Sequence, residues 1–295
     1  MQSEAEQIDL PRADAPSAPG AAEFPSGKDA GDENFPVGSF LIPARLRPHV
    51  ARFYAYARAI DDVADNAELA PEEKLRRLDG FAAAIRGETD DPAYIKAHRI
   101  AASLKETEVT TQHCLDLISA FKQDSVKGRY ADWDELVDYC NRSAAPVGRY
   151  LLDLHGEDKA AYPYSDGLCN ALQVINHLQD CQSDYRELDR VYLPGDWLEA
   201  EGAVVEYLDR SAATPAMRAV LDHTIAGTRE LMAAAVRLPG ALKGRLAYES
   251  AVIVKIAERL IVELERRDPL AERIELTKPQ VFRCGVAGVI SALLR

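Results

Sequence analysis

At 295 residues, with 47% hydrophobic side chains, the chain is long enough to bury one large core, and 48 acidic against 35 basic residues leave it at −13, which argues against nucleic acid as a partner. That charge also repels anionic lipid wherever no basic or apolar patch intervenes, and no run of about 18 apolar residues suggests a spanning helix, so any membrane contact is expected to be peripheral. Five cysteines without a Cys-x-x-Cys pair argue against a disulfide framework, and no basic stretch followed by an apolar run reads as a signal peptide, so the cytosol is the expected compartment.

Residues 1 to about 32, rich in Ala, Pro, Ser, Gly, Asp and Glu, bury too little apolar area to offset ordering entropy and read as a disordered tail ahead of one domain over residues 33–295. After a short segment from Phe35 to Pro43, Pro48 suits the first turn of a helix running to about Asn66. That helix passes through the apolar run Tyr54 to Ile60 and ends in Asp61-Asp62-Val63-Ala64-Asp65. Pro71 opens a second helix, striped by Leu75, Leu78, Phe81 and Ile85 and closed by Gly87, expected to pack outside the core. Further helices are predicted over Ala93 to Lys105 and Thr111 to Ser125, the second with Cys114, Leu115, Ile118 and Phe121 at helical spacing and an end, Phe121 to Asp124, expected to approach the site.

Asp132 is placed to cap a long helix to about Leu154, whose middle, Ser143-Ala144-Ala145-Pro146-Val147-Gly148, is small and proline-kinked. Such a stretch leaves room for a ligand or allows close helix packing. Asp166 is expected to cap the helix that carries Asn176, Asp180 and Asp184, after which Asp189 to Pro194 reads as a loop. Thr214-Pro215 begins a helix to about Leu238, stopped by Pro239-Gly240, and Ala241 to Arg266 forms another on the stripe Ile253, Ile256, Leu260 and Leu264. The apolar segment Pro279 to Arg295, about 17 residues, fits a docking helix better than a bilayer span, with core packing expected ahead of an interfacial anchor. No strand pattern competes, so the fold class is all-α.

Residues four apart on a helix share a face with Cβ atoms roughly 5–6 Å apart, so Asn176, Asp180 and Asp184 form one polar column. Like charges at that spacing repel, while Leu172, Val174, Ile175 and Leu178 around them ask for burial, so something cationic is expected against the column. One such pair alone reads more readily as a solvated acidic face. The second copy, Asp61 and Asp65, shifts the reading to a metal clamp. Carboxylates are hard ligands suited to Mg²⁺, which keeps waters and bridges to substrate phosphates, and two such helices facing each other would grip a diphosphate. Zinc-ligand spacing and glycine-rich phosphate loops are both missing.

The paired acid motifs, with Arg190-Val191-Tyr192-Leu193-Pro194 after the second and Tyr139-Cys140 before a small-residue helix, resemble the squalene and phytoene synthase family from about Asn34 onward. The resemblance implies an isoprenoid-synthase helical bundle around a central cavity and Mg²⁺-assisted loss of diphosphate from a prenyl substrate. It implies metal ligation by Asp61, Asp65, Asn176, Asp180 and Asp184, catalytic roles for those four aspartates and for Tyr139, and a substrate-binding set of Ser39, Phe40, Phe53, Tyr54, Arg58, Gln173, Asn176, Arg190 and Tyr192. Arg58 and Arg190 read either as diphosphate-binding cations or as ordinary ion pairs to a neighbouring Asp. Phe53, Tyr54 and Tyr139 read either as rings that stabilise a carbocation or as plain core, and His177 as a packing or hydrogen-bonding histidine.

Within the family, Glu33 to Ser39, Ser143 to Arg149 and Asn176 to Asp180 are similar to the bacterial hydroxysqualene synthase branch associated with hopanoid biosynthesis. Condensing members generally carry Ser-Lys/Arg-Ser-Phe where this chain has Val37-Gly38-Ser39-Phe40, and an arginine where it has Gln179. Joining two farnesyl diphosphates means holding two diphosphates, whereas rearranging presqualene diphosphate means holding one. Charge count and resemblance together imply conversion of presqualene diphosphate and water to hydroxysqualene with Mg²⁺ and without NADPH. A condensing synthase and an inactive assembly or lipid-binding relative are the alternatives. The implied partners are the prenyl diphosphate, neighbouring squalene-pathway enzymes and a peripheral contact at the inner membrane.

Overall fold

The structure, a computed structural model, describes Ala22 and residues 42–294; Ser39, Phe40 and all of the expected tail except Ala22 lie outside the described residues. The chain divides into two compact units, one ending at Phe121 and the other beginning at Lys122.

The first unit is built on α1 (Arg47–Asp65), α2 (Pro71–Arg86), α3 (Ile95–Thr107) and most of α4 (Gln112–Asp124). Pro48 sits in the first turn of α1, where its missing N–H forfeits no helical bond, and the helix gives way at the extended residue Asn66. α1 packs on α2 and α3, with Tyr56, Ile60, Leu78, Phe81 and Ile100 fully buried. The Phe81 ring meets Tyr56 and Tyr94 edge-on, at centroid distances of 6.3 and 5.2 Å, and the Tyr56 hydroxyl donates to the Cys114 carbonyl at 2.9 Å. α2 was expected to pack outside the core, yet its stripe lies in it. Gly80 helps make that possible, because a Cβ there would stand 2.0 Å from the Tyr94 ring. Ala22 is bound to this unit through Ala93 and Arg77.

The second unit holds α5 (Trp133–Ser143), α6 (Ala145–His155), α7 (Tyr162–Gln179), α8 (Cys181–Leu188), α9 (Gly195–Ala200), α10 (Pro215–Ala235), α11 (Leu238–Ala241), α12 (Gly244–Arg266) and α13 (Lys278–Leu293). α7 is its centre, packed by α5, α6, α10 and α12, with Leu168, Ala171, Val174, Ile175 and Leu178 buried. Full burial of a Leu or Ile side chain stabilises by about 1.5–3 kcal/mol, so this apolar helix is what fixes the position of the polar residues it carries.

Several sequence expectations are corrected here. The long helix over Asp132 to Leu154 is two helices broken at Ala144 (φ −120°, ψ −48°), because Pro146 has no N–H to continue the ladder and instead starts α6. Asp132 does cap α5, accepting from the Glu135 N–H at 2.9 Å. Asp166 caps nothing. α7 starts four residues earlier, at Tyr162 with Pro163 in its first turn, and Asp166 takes a two-point ion pair with Arg149 at 2.7 and 2.8 Å. Pro239-Gly240 does not stop a helix at Leu238: α10 ends at Ala235 and Pro239 lies in the first turn of the short α11.

The loop expected over Asp189 to Pro194 contains a strand, β2 (Val191–Pro194), parallel to β1 (Arg129–Tyr130). Asp189 ends α8 in the left-handed region (φ 51°), and the β-favouring residues Val191 and Tyr192 follow. Gly128 permits the pairing, since a Cβ would lie 2.5 Å from the Asp189 carbonyl, and its own carbonyl accepts from Val191 N–H at 2.9 Å. α13 is also not the core helix expected: only Cys284 and Gly288 are buried, against α12, and Val281, Phe282, Val286, Val289, Ile290 and Leu293 are exposed.

Candidate active site

The first acid motif closes α1. Arg58, one turn before it, reaches Asp61 with Nη1 to Oδ2 at 3.0 Å and Asp62 with Nε to Oδ1 at 3.4 Å. Asp62 is buried, whereas Asp61 and Asp65, on the adjoining face, are half-exposed. The helix C-terminus carries partial negative charge, and Lys74 answers it by donating from Nζ to the Ala64 carbonyl at 2.7 Å. Phe53 is buried in the same helix, and Tyr54 is partly exposed.

The second motif spans the junction of α7 and α8. Asp180 leaves helical geometry (φ −107°, ψ 11°), so the column is carried by two helices rather than by one. Its register survives the break: Asp180 N–H donates to the Asn176 carbonyl at 2.9 Å and Asp184 N–H to the Asp180 carbonyl at 2.8 Å. Gln173, Asn176, Asp180 and Asp184 therefore follow one another at one-turn intervals, all half-exposed. Arg190, buried after the junction, donates its N–H to the Asp184 carbonyl at 3.1 Å and so closes the end of α8.

Beside this column lies a buried aromatic group organised by Asp124, the last residue of α4. The Tyr139 hydroxyl donates to Asp124 Oδ2 at 2.6 Å and the Tyr192 hydroxyl to Oδ1 at 3.3 Å. Tyr130 stacks on Tyr192 at 5.6 Å, and His177 stacks on the same ring at 3.6 Å with 13° between planes. Gln173 Nε2 lies 3.2 Å from His177 Nε2. Burial, with the Asp124 charge added to it, holds the Tyr139 and Tyr192 phenols well above their ordinary range, so both stay protonated. Burial, reinforced by Arg190, lowers His177 from 6.5 to about 3, so its ring is neutral.

Two residues of this region escaped the sequence reading. Asp124 was included only in a segment expected to approach the site; nothing in the sequence marks it as the acceptor for two tyrosines. Arg273 was not singled out at all. It lies in the coil between α12 and α13 and brings Nε to 3.6 Å from Asp180 Oδ1, while Gln179, buried, donates to the adjacent Ile274 carbonyl. The cation that the column called for thus comes from a distant segment, for which neither spacing nor periodicity gives a signal.

The donor chemistry fits Mg²⁺. Each motif offers carboxylate oxygens and the second adds the Asn176 amide, while Cys181, which lies within the second motif, is buried and stands off the half-exposed column of Asn176, Asp180 and Asp184. Among the described residues no three His, Cys, Asp or Glu side chains converge to hold a metal by themselves. A Mg²⁺ that keeps several waters and takes one or two carboxylates does not require such a group.

Comparison with known proteins identifies the family. The family model described as squalene/phytoene synthase matches residues 28–280. Hydroxysqualene synthases of Rhodopseudomonas palustris and Zymomonas mobilis are 43% and 41% identical to the chain, over 92% of it in both cases and over 92% and 91% of their own lengths. A squalene synthase structure from Alicyclobacillus acidocaldarius, 31% identical, superimposes with a TM-score of 0.69 over 80% of this chain and 90% of that one. With a family match running through both acid motifs and relatives aligned over nearly their whole lengths, the chain belongs to the squalene/phytoene synthase family and is an all-α enzyme of the isoprenoid-synthase fold.

Proposed function

We propose that the chain is a cytoplasmic enzyme that converts presqualene diphosphate and water to hydroxysqualene and diphosphate. The observation that carries this reading is the position before Asp180. Gln179 is neutral, buried and tied to the Ile274 carbonyl, so it adds no cation there. The cationic side chains named around the second motif are then Arg273 and Arg190, a supply suited to one diphosphate rather than two. The likeness to hydroxysqualene synthases supports the same reading.

Asp61 and Asp65 at the first motif, and Asn176, Asp180 and Asp184 at the second, would each hold Mg²⁺, which when bound acts as a Lewis acid on the departing diphosphate oxygens. At the second motif Arg190 and Arg273 would add charge-assisted hydrogen bonds to those oxygens, and at the first motif Arg58 is the cation that could do so. Asp124 fixes the Tyr139 ring by its hydroxyl, so that it offers a neutral, electron-rich face to a carbocation, and holds Tyr192 behind it in the stack with Tyr130 and His177. His177, held neutral, adds no opposing positive charge to the same stack. The carbon–oxygen bond to diphosphate breaks heterolytically, the cation rearranges, water adds, and one proton is released. No electrons are gained or lost, so no NADPH is consumed.

The test is product analysis with purified protein and Mg²⁺ in ¹⁸O-labelled water. Presqualene diphosphate should give a labelled alcohol, and farnesyl diphosphate should be left largely untouched. Rapid formation of presqualene diphosphate, phytoene or dehydrosqualene from farnesyl or geranylgeranyl diphosphate would overturn the reading in favour of a condensing synthase. Inertness toward all these substrates would favour a binding protein.

A further inference from the structure

We propose that α13 is an interfacial helix that docks the enzyme on an anionic lipid surface. Its inner face packs on α12 through Cys284 and Gly288, where a Cβ on Gly288 would lie 2.6 Å from the Val252 Cα. The opposite face carries Phe282, Val286, Val289 and Leu293, at spacings of four, three and four, which places them on one stripe with Ile290 at its edge. Phe282 is 73% exposed and Leu293 65%, values far outside those of a helix that has found its core. Large apolar side chains gathered on one face, unlike scattered ones, mark an interaction surface.

Charge identifies the occupant. After Glu275 the sequence contains no acidic residue and carries Lys278, Arg283 and Arg295, a local balance of +3 in a chain of net −13. Lys278 and Arg283 are exposed, and neither is in an ion pair among the described residues. An apolar stripe flanked by unneutralised basic residues is what a helix lying in the headgroup region of an anionic membrane requires, each basic residue strengthening binding about fivefold. At 16 residues, or about 24 Å at 1.5 Å per residue, α13 is too short to span, and no helix among the described residues is long and apolar enough to cross a membrane.

A second copy fits less well. The stripe provides two heptads, short of the three or four that a self-sufficient coiled coil needs. The choice of lipid also rests on the proposed reaction, since a C30 alcohol with a single hydroxyl is insoluble in water and must pass from the enzyme to an apolar phase.

The experiment is vesicle flotation of the full chain without substrate, using phosphatidylcholine vesicles and vesicles containing phosphatidylglycerol. The wild-type chain should float with the anionic vesicles and be released at about 0.5 M salt, where the Debye length has shrunk to a few Å. Phe282→Ser with Leu293→Ser should weaken binding by at least about tenfold. Lys278→Glu with Arg283→Glu should abolish the preference for anionic vesicles, weakening binding to them by at least about thirtyfold, since two basic contributions are lost and reversed in sign. Both variants should keep wild-type helicity and melting temperature, since all four side chains are exposed. Absence of flotation, or equal flotation of all three proteins, overturns the proposal. A dimer that the Phe282/Leu293 variant dissociates, without lipid binding by the wild type, assigns the stripe to a second copy and also overturns it. Because binding is read without substrate, loss of turnover with flotation intact would count against the proposed reaction and leave the surface assignment standing.

Discussion

At the end of α1 the acid motif is answered from within its own helix, whereas at the junction of α7 and α8 it is answered from a segment far along the chain. Arg58 stands three and four residues before Asp61 and Asp62 and meets both, one of them buried. Asp180 receives Arg273 from the coil before α13, and that coil is held by Gln179, the residue just before Asp180. The first arrangement is local and continuous. The second sits on a broken helix and depends on tertiary structure, so equal carboxylate spacing conceals two different ways of tolerating concentrated negative charge.

The largest effects should come from the carboxylates themselves. Asp61→Asn and Asp180→Asn each remove a proposed Mg²⁺ ligand and are expected to lower turnover by at least about 10²–10³, the usual loss for one preorganised electrostatic contact. Far-ultraviolet circular dichroism should be unchanged, because both side chains are half-exposed and relief of like-charge repulsion offsets the lost pairing. Near-normal turnover of both variants at limiting Mg²⁺ would show that neither motif holds the metal. A loss in only one would show that the local and tertiary arrangements differ in function as well as in structure.

Asp124→Ala should be the most damaging to stability in the second region. It leaves the Tyr139 and Tyr192 hydroxyls buried without their acceptor, and two such groups cost together about 2–6 kcal/mol. Urea midpoints for Asp124→Ala and for Asp124→Asn, which keeps an acceptor oxygen, measure this directly. If the two variants unfold together, the hydroxyls have another partner and Asp124 does not organise the rings.

How much of this was legible in the sequence follows the same division. Helical spacing located both acid motifs, the capping role of Asp132, the closing Gly87 and the elements of an all-α fold, because those features depend on neighbours within a turn or two. Arg58 was legible as an ion-pair candidate for the same reason. The β1–β2 pair was not: a two-residue strand has no periodicity, and its partner stands some sixty residues away. Asp166 looked like a cap because a cap is a local signal, but its charge is used by Arg149 on another helix. The apolar pattern of α13 was read as core, since composition cannot tell a stripe facing the protein from one facing outward. Arg273 was missed because an arginine in a coil looks like any other until the chain is folded.

His177 allows a pH test confined to the second region. Its folded pKa is lowered to about 3 by burial and then by Arg190, against 6.5 for the exposed ring. Below pH 6.5 the unfolded chain takes up a proton that the native state refuses, so this group's contribution is lost progressively as pH falls from 6.5 toward 3. At about 1.4 kcal/mol per pH unit, stability should fall by about 2 kcal/mol between pH 7 and pH 5. The carboxylates of Glu73, Glu265 and Glu272, held below 4.5 chiefly by arginine hydrogen bonds, lose their contribution at lower pH and leave that window largely clear. His177→Phe, which keeps the stack on Tyr192, should flatten the curve between pH 7 and 5; an unchanged slope would mean that the native ring can be protonated.

The smallest stability effect is expected for Arg273→Ala, and comparison with Arg58→Ala gives it meaning. Arg273 and Asp180 side chains are 61% and 38% exposed and 3.6 Å apart, a solvent-screened pair worth about 0–1 kcal/mol. Arg58 faces Asp62, whose side chain is 4% exposed, so its removal strands a buried carboxylate and should cost more, about 1–3 kcal/mol. Kinetics should separate the two differently. Because Arg273 contributes so little to the fold, any loss it causes in kcat/KM for presqualene diphosphate reports a role at the diphosphate site, directly or through Asp180, and removing one charge-assisted contact of about 1.5 kcal/mol predicts roughly tenfold. Arg273→Lys should lose less than Arg273→Ala, since it keeps the charge but not the planar fork. If Arg273→Ala leaves kcat/KM within twofold, roughly the resolution of the assay, then the distant arginine serves only its ion pairs with Asp180 and with Glu275, which lies nearer at 3.2 Å.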